Sequence, residues 1–455
     1  MLKHGFRREL ALTARLAGPL IGGQLTMVGM NFTDTVMAGR LDAGALAAVA
    51  VGSSVWASIM LFSNGVLMIL APSVAQVEGA GERWRVAPLT RQTFWLSQGL
   101  AVLAILVTAN MRPFLELLRV DAAIVPDAAG YLRALCWGVP AWAVYMVLRY
   151  MSEGMGATRP TLYFGLVGLA ANVPADWVLM YGKLGLPELG ATGCGYATAI
   201  VWCLQCAGLA LYVARRPRYR DLGLFSRLEP PSREALAAIL RLGLPVGVMW
   251  LMEVSMFTMV ALMIGSMGAV LVAGHQVTLN FAALTFMVPL GLAMATSVRV
   301  GNAVGRRDPS GVRLAARAGI TLAMCTQTVS ASLMLLIPAW IAGIYTDDPA
   351  VVAIAVQLLF LAAIFQLSDG VQVSCSGILR GLNDTRVPMV LTVVAYWLVG
   401  LPLGALLGFR FDLGPRGMWM GMIAGLTVAA VLLGLRYRAM SARLPGRLTG
   451  GTKPA

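Results

Sequence analysis

Residues 246–265 read VGVMWLMEVSMFTMVALMIG, and Glu253 is the single charge in the stretch. At about 1.5 Å of rise per residue it covers roughly 30 Å as a helix, the thickness of a bilayer's hydrocarbon core. It lacks the ten-residue alternation of an outer-membrane barrel strand. A transmembrane helix with an acid near its middle is the reading that remains. A charge there costs roughly 2.5 to 3.5 kcal/mol on insertion scales. Glu253 must therefore be protonated, paired or bound to a cation.

The rest of the chain is of the same kind. Of its 455 residues 58% are hydrophobic and 12% charged, with a mean hydropathy of +0.76, whereas a soluble domain is about 25% charged. The net charge of +14 could suit nucleic acid. Its Lys and Arg crowd the short loops between apolar runs, however, where they set the orientation of insertion. Nucleic acid is thereby excluded as a partner, and the lipid bilayer is the expected one.

Apolar runs against Gly, Pro and charged breaks predict an all-α integral membrane protein with twelve transmembrane helices. They fall at 9–38, 44–75, 90–110, 125–152, 160–182, 190–214, 235–266, 270–298, 314–342, 351–379, 387–408 and 417–437. Residues 1–214 form an N-terminal six-helix lobe, 215–234 a basic cytoplasmic linker, 235–440 a C-terminal six-helix lobe and 441–455 a cytoplasmic tail. The odd-numbered loops hold only Arg40, Arg112, Arg119, Lys183, Arg410 and Arg416. Both termini are thus expected in the cytoplasm. MLKHGFRREL at the start resembles a signal peptide's charged region, but the many spans after it make it the entry to a first helix.

The two lobes repeat each other. MAGRLDAGALAA (37–48) falls on MIGSMGAVLVAG (263–274) at a shift of 226, which also pairs Pro19 with Pro245, Gly65 with Gly291 and Gly79 with Gly305. GMGATR meets GLNDTR at a shift of 227, and LGATG meets LGPRG at 224. Six spans per half make this a direct repeat, with a pseudo-two-fold axis along the membrane normal, an arrangement suited to alternating access.

Four further polar residues fall within or near hydrocarbon: Asp34, Asn172, Asp176 and Asp369. Carboxylates in a low-dielectric cavity mark ion pathways. Pro174 removes a backbone bond between Asn172 and Asp176 and frees carbonyl oxygens as further hard-cation ligands. Arg149 and Glu153, four apart, read as a local pair. His275 reads as structural, and all six cysteines as packing residues. Cys203 and Cys206 form a lone C-x-x-C without a second pair or a nearby histidine, which argues against a metal or redox role.

Taken together, FTDTVMAGR, NVPADWVLMYG before LPELGATGCGYATA, WLMEVSMF and SDGVQVSCSGILRGLNDTRVP resemble the multidrug and toxic compound extrusion (MATE) family, in its NorM-like branch, over essentially the whole chain. The resemblance implies a C-lobe cation site at Glu253 and Asp369, with the ring of Phe286 facing the cation. It implies an N-lobe cation or proton site at Asp34, Asn172 and Asp176, and a substrate path past Gln276, Asp347 and Asp348. The expected function is cation-coupled antiport of organic cations and drugs, with Na+ preferred over H+ as coupling ion and no other cofactor. A monomer in the bacterial inner membrane is expected. An enzyme is disfavoured because the longest loop, basic and Pro-rich, holds no constellation of His, Cys and Ser. A flippase for lipid-linked precursors is the rival, although it would need a cationic cavity to hold phosphates.

Overall fold

The computed structural model describes residues 2–117, 120–227 and 229–449. Arg119 among the loop charges, Leu228 of the linker and tail residues 450–455 lie outside them. Among the described residues all regular structure is helical. The long helices are α1 (Leu2–Leu41), α2 (Ala43–Gly79), α3 (Arg83–Ala109), α4 (Val125–Leu135 with Val139–Gly154), α5 (Arg159–Met180) and α6 (Gly190–Arg215). The second half has α7 (Arg233–Gly265), α8 (Ala269–Gly305), α9 (Pro309–Leu336), α10 (Pro349–Gly381), α11 (Arg386–Arg410) and α12 (Gly414–Thr449).

Ten of these are long and apolar enough to cross a membrane among the described residues, and the bent pair of α4 makes an eleventh. The 50° bend of α4 follows from Gly138 and Pro140, which interrupt the backbone ladder where an unbroken span was expected. Helix α1 is 40 residues long, but its middle is diluted by Gly22, Gly23, Gln24, Thr26 and Asn31. Through Pro19, Pro174 and Pro245 the helices continue unbroken. Helix α11 is wound as π-helix over Val394–Gly400 and Leu406–Arg410, on either side of Pro402. Helix α12 carries on to Thr449, so the first part of the expected tail is helical. Three helix starts are capped by aspartates: Asp42 accepts from the Ala45 amide, Asp308 from Gly311 and Asp348 from Ala350.

The described residues group into two compact units that differ from the chain halves. One comprises those within 1–21, 79–81 and 248–455, the other those within 22–78 and 82–247. Helix α1 thus changes unit at Ile21/Gly22, and α7 at Gly247/Val248. These breaks are 226 residues apart, the offset of the repeat, and each follows a proline by two residues. The packing explains why. A Cβ on Gly65 would stand 2.7 Å from the Gly247 Cα, and one on Gly291 would stand 2.5 Å from Ile21 Cγ1. The same close helix crossing is therefore built once in each unit, α2 on the first half of α7 and α8 on the first half of α1. Small residues allow such approach where lipid supplies no hydrophobic drive. Glu9 and Arg299 reinforce the second crossing with paired 2.7 Å hydrogen bonds.

The linker is strapped down. Arg91 of α3 is 6% exposed. It donates to Leu224 O at 3.0 Å, to Gly223 O and to Glu229 Oε1 at 2.6 Å. Gln92 and Trp95 bond Pro230 O and Glu229 O.

Candidate functional site

In the unit of residues 22–78 and 82–247, three of the expected site residues meet. Asn172 and Asp176 are four apart on α5 and share a face, while Asp34 lies near the end of α1. Asn172 Nδ2 donates to Asp34 Oδ1 at 2.8 Å and to Asp176 Oδ2 at 2.5 Å. Asn172 and Asp176 are fully buried and Asp34 nearly so. The Tyr181 hydroxyl, donating to Met37 O at 2.8 Å, fixes the end of α5 against α1. One amide thus bridges two carboxylates, yet Asn172 Oδ1 and Asp176 Oδ1 keep no hydrogen-bond partner. Burying such a cluster needs protons or a cation to offset the negative charge.

Sequence reasoning missed a fourth member of this cluster. Cys194 of α6, expected to be a packing residue, brings its Sγ to within 4.8 Å of carboxylate oxygens of Asp34 and Asp176. Thr198, one turn on, is close to Asp34 as well. Their spacing of four beside an acid-bearing helix was the available signal. Cys203 of the C-x-x-C is exposed, which a packing residue would not be, and Cys206 is half-buried.

Asp34 and Thr198 open onto a cavity of about 260 Å³. Its walls are aromatic and sulfur-rich: Trp56, Trp142 and Trp202 pack edge-on or tilted with centroids 5.3 to 6.3 Å apart, beside Met27, Met30 and Met60. Such walls offer π faces and a deformable surface to flat or cationic molecules. Arg149 lies on the wall too, and the local pair expected from spacing is present. Arg149 Nε donates to Glu153 Oε1 at 2.7 Å, and both side chains are under 4% exposed. Gln24 takes a second donor at 2.8 Å, and Thr161 donates to Glu153. The charge of Arg149 is thereby neutralised within the wall.

In the other unit Glu253 on α7 is partly buried and Asp369 on α10 is 3% exposed. They are electrostatic neighbours: Asp369 feels the charge of Glu253, Glu253 feels Arg380, and Tyr396 feels both acids. The Tyr396 hydroxyl is buried without a partner on the π-wound part of α11, a distortion found preferentially at functional sites. Arg380 and Tyr396 were not anticipated. Arg380 stands in the sequence one residue beyond the tenth expected span. One turn from Asp369, Gln366 donates to Thr285 Oγ1 at 2.6 Å and accepts from Gln327, which buries a polar network beside Phe286. Phe286 itself is half-buried on α8.

The expected substrate-path residues are all exposed. Gln276 is exposed on α8, ten residues from Phe286, or about 15 Å along the helix. Asp347 and Asp348 are exposed at the start of α10, roughly 30 Å along it from Asp369. Asp348 serves as the cap of that helix. His275 is buried, and its Nδ1 accepts from Trp419 Nε1 at 3.2 Å.

The comparisons with known proteins follow the repeat. The MatE family model matches twice, at residues 19–178 and 245–406, blocks whose starts are again 226 apart. A "Probable multidrug resistance protein NorM" of Xanthomonas axonopodis pv. citri is 46% identical over 445 residues, 98% of this chain and 97% of that protein. The "Multidrug resistance protein PmpM" of Pseudomonas aeruginosa is 43% identical over 442 residues, covering 96% and 92%. A crystal structure of MATE in the bent conformation has the same fold, with a TM-score of 0.89 at 21% identity over 98% of this chain and 99% of that one. With both halves matched by the family and near full-length relatives above 40% identity, this chain belongs to the MatE family of multi-span membrane transporters.

Proposed function

We propose that the protein exports organic cations and drugs from the cell by antiport, driven by sodium and, at the N-terminal cluster, by protons. The observation that carries the reading is the Asp34–Asn172–Asp176 cluster, whose Asp34 opens onto an aromatic cavity. A cationic aromatic molecule in that cavity and a small cation or proton on the carboxylates compete for the same negative charge. Binding of one then disfavours the other, which is the coupling an exchanger needs. The Glu253–Asp369 pair adds an anionic, oxygen-rich site suited to sodium. The relatives named for multidrug resistance support the substrate class. The bacterial relatives support an inner-membrane location and the loop charges an orientation with both termini cytoplasmic, and the protein is proposed to act as a monomer.

The flippase alternative requires a cationic cavity. The one cation in the wall described above, Arg149, is matched by Glu153, so the antiport reading is the better supported. The test is efflux of a cationic dye from proteoliposomes at fixed pH with an inward sodium gradient, repeated with potassium in its place. Sodium-dependent efflux is expected. Efflux that persists in potassium and stops only when the proton gradient is dissipated assigns coupling to the Asp34 cluster and overturns the sodium assignment.

A further inference from the structure

We infer that Asp34, Asp176 and Cys194 form a binding site for a thiophilic divalent cation of the Zn2+ and Cd2+ class. The geometry gathers three ligand-bearing side chains in one buried place. One sulfur and two carboxylate oxygens lie within 4.8 Å of one another, all three residues are buried, and they come from the three helices α1, α5 and α6. A further oxygen is available to the ion: Asp176 Oδ1 is buried with no hydrogen-bond partner, on a side chain fully shielded from solvent. Unsatisfied buried oxygens of this kind are rare in native proteins and ask for an ion or water. Asp34 lies in the cavity wall, which gives the ion a route in.

The donor set decides which ion is held tightly. Two carboxylates alone suit a hard cation such as sodium. A thiol among them changes the preference, because a soft sulfur ligand selects Zn2+ and its neighbours over hard ions. On binding, the thiol proton of Cys194 leaves to solvent and the sulfur becomes a thiolate ligand, with no change of redox state. The three anionic ligands then match the divalent charge far better than a monovalent ion does. A coupling cation can leave this site in each cycle, whereas a thiolate-bound divalent ion is retained. Occupancy therefore stalls the transporter. This consequence for transport rests on the proposed role of the Asp34 cluster; the binding itself does not.

The test titrates purified wild-type protein with Cd2+ and follows ultraviolet cadmium–thiolate charge-transfer absorption. One equivalent should bind with a charge-transfer signal, and Cys194→Ser should lose that signal and weaken Cd2+ binding by about ten-fold or more. The double variant Cys203→Ser/Cys206→Ser should behave as wild type. In proteoliposomes Cd2+ should inhibit dye efflux by the wild type, and each variant is compared with its own metal-free rate. If Cys194→Ser fails to fold, X-ray absorption on wild-type protein with one equivalent of Zn2+ replaces it. A single sulfur at about 2.3 Å with oxygens at about 2.0 to 2.2 Å is expected. A two-sulfur shell, a signal lost in the Cys203/Cys206 variant, or unchanged Cd2+ binding in Cys194→Ser each overturns the proposal. Metal-free efflux is measured in the same series, so a working exporter that is insensitive to Cd2+ removes this site and leaves the antiport reading standing.

Discussion

The two halves of the chain share a backbone but not a charge pattern. At the shift of 226, Glu253 falls on Met27 and Asp34 on Val260, while at 227 Arg380 falls on Glu153. The N-terminal cluster has its acids on α1 and α5, with the amide of Asn172 bridging them. The other unit has its acids on α7 and α10, beside an arginine and a tyrosine. Helix crossings, by contrast, are duplicated in detail, as Gly65 against Gly247 and Gly291 against Ile21 show. The repeat preserved what lets helices approach. It left the polar chemistry of each unit free to diverge.

The largest effect tests whether the two acidic sites divide their labour. Glu253→Gln and Asp369→Asn should each abolish sodium-driven dye efflux in proteoliposomes, since the amide keeps volume and loses charge. Asp34→Asn should impair dye binding, read by dye fluorescence, while sodium binding to the other unit remains. If Asp34→Asn removed sodium binding as well, the two sites would be one functional unit and the contrast would fail.

The Arg149–Glu153 pair sharpens the comparison, because its position in the other half holds Arg380. Breaking the pair by Arg149→Met should strand a buried carboxylate and destabilise the protein by about 3 to 5 kcal/mol, read as a lower thermal transition in detergent. Replacing both partners by Met should recover most of that loss. A single variant as stable as wild type would show that the wall does not depend on this pair.

Gly65→Ala and Gly291→Ala probe the shared part. Each should cost about 1 to 3 kcal/mol through overpacking. Gly65→Ala should be the worse of the two, because its new methyl meets backbone at Gly247, whereas that of Gly291 first meets the movable Ile21 side chain. Unequal effects in the reverse order, measured by thermal unfolding, would deny that the crossings are equivalent.

The smallest effect belongs to Asp308, outside the membrane at the start of α9. Partial burial raises its pKa, but the Ser310 hydroxyl, the Gly311 amide and Arg306 outweigh this and hold the carboxyl below its ordinary value. Its stabilisation is therefore present above about pH 4, the unfolded value, and disappears as pH falls through the folded one. Asp308→Asn should flatten stability against pH in that range only, with a change of about 1 kcal/mol or less.

The sequence by itself determined the helices, their order and the direct repeat. Each of these is written locally, in apolar runs long enough to cross a bilayer and in glycines and prolines recurring at one offset. It also marked Glu253, because one charge in a stretch of 20 residues needs no partner to be conspicuous. Tertiary structure decided the rest. Asp34 and Asn172 are 138 residues apart, and only the packing of α1 on α5 makes them neighbours. Cys194 looked like any apolar-span cysteine until α6 carried it to two carboxylates. The exchange of α1 and α7 between units at Ile21 and Gly247 was equally hidden. Hydropathy says how deep a residue sits in a membrane, while which residues touch at that depth depends on the rotation and crossing of separate helices, which no local pattern encodes.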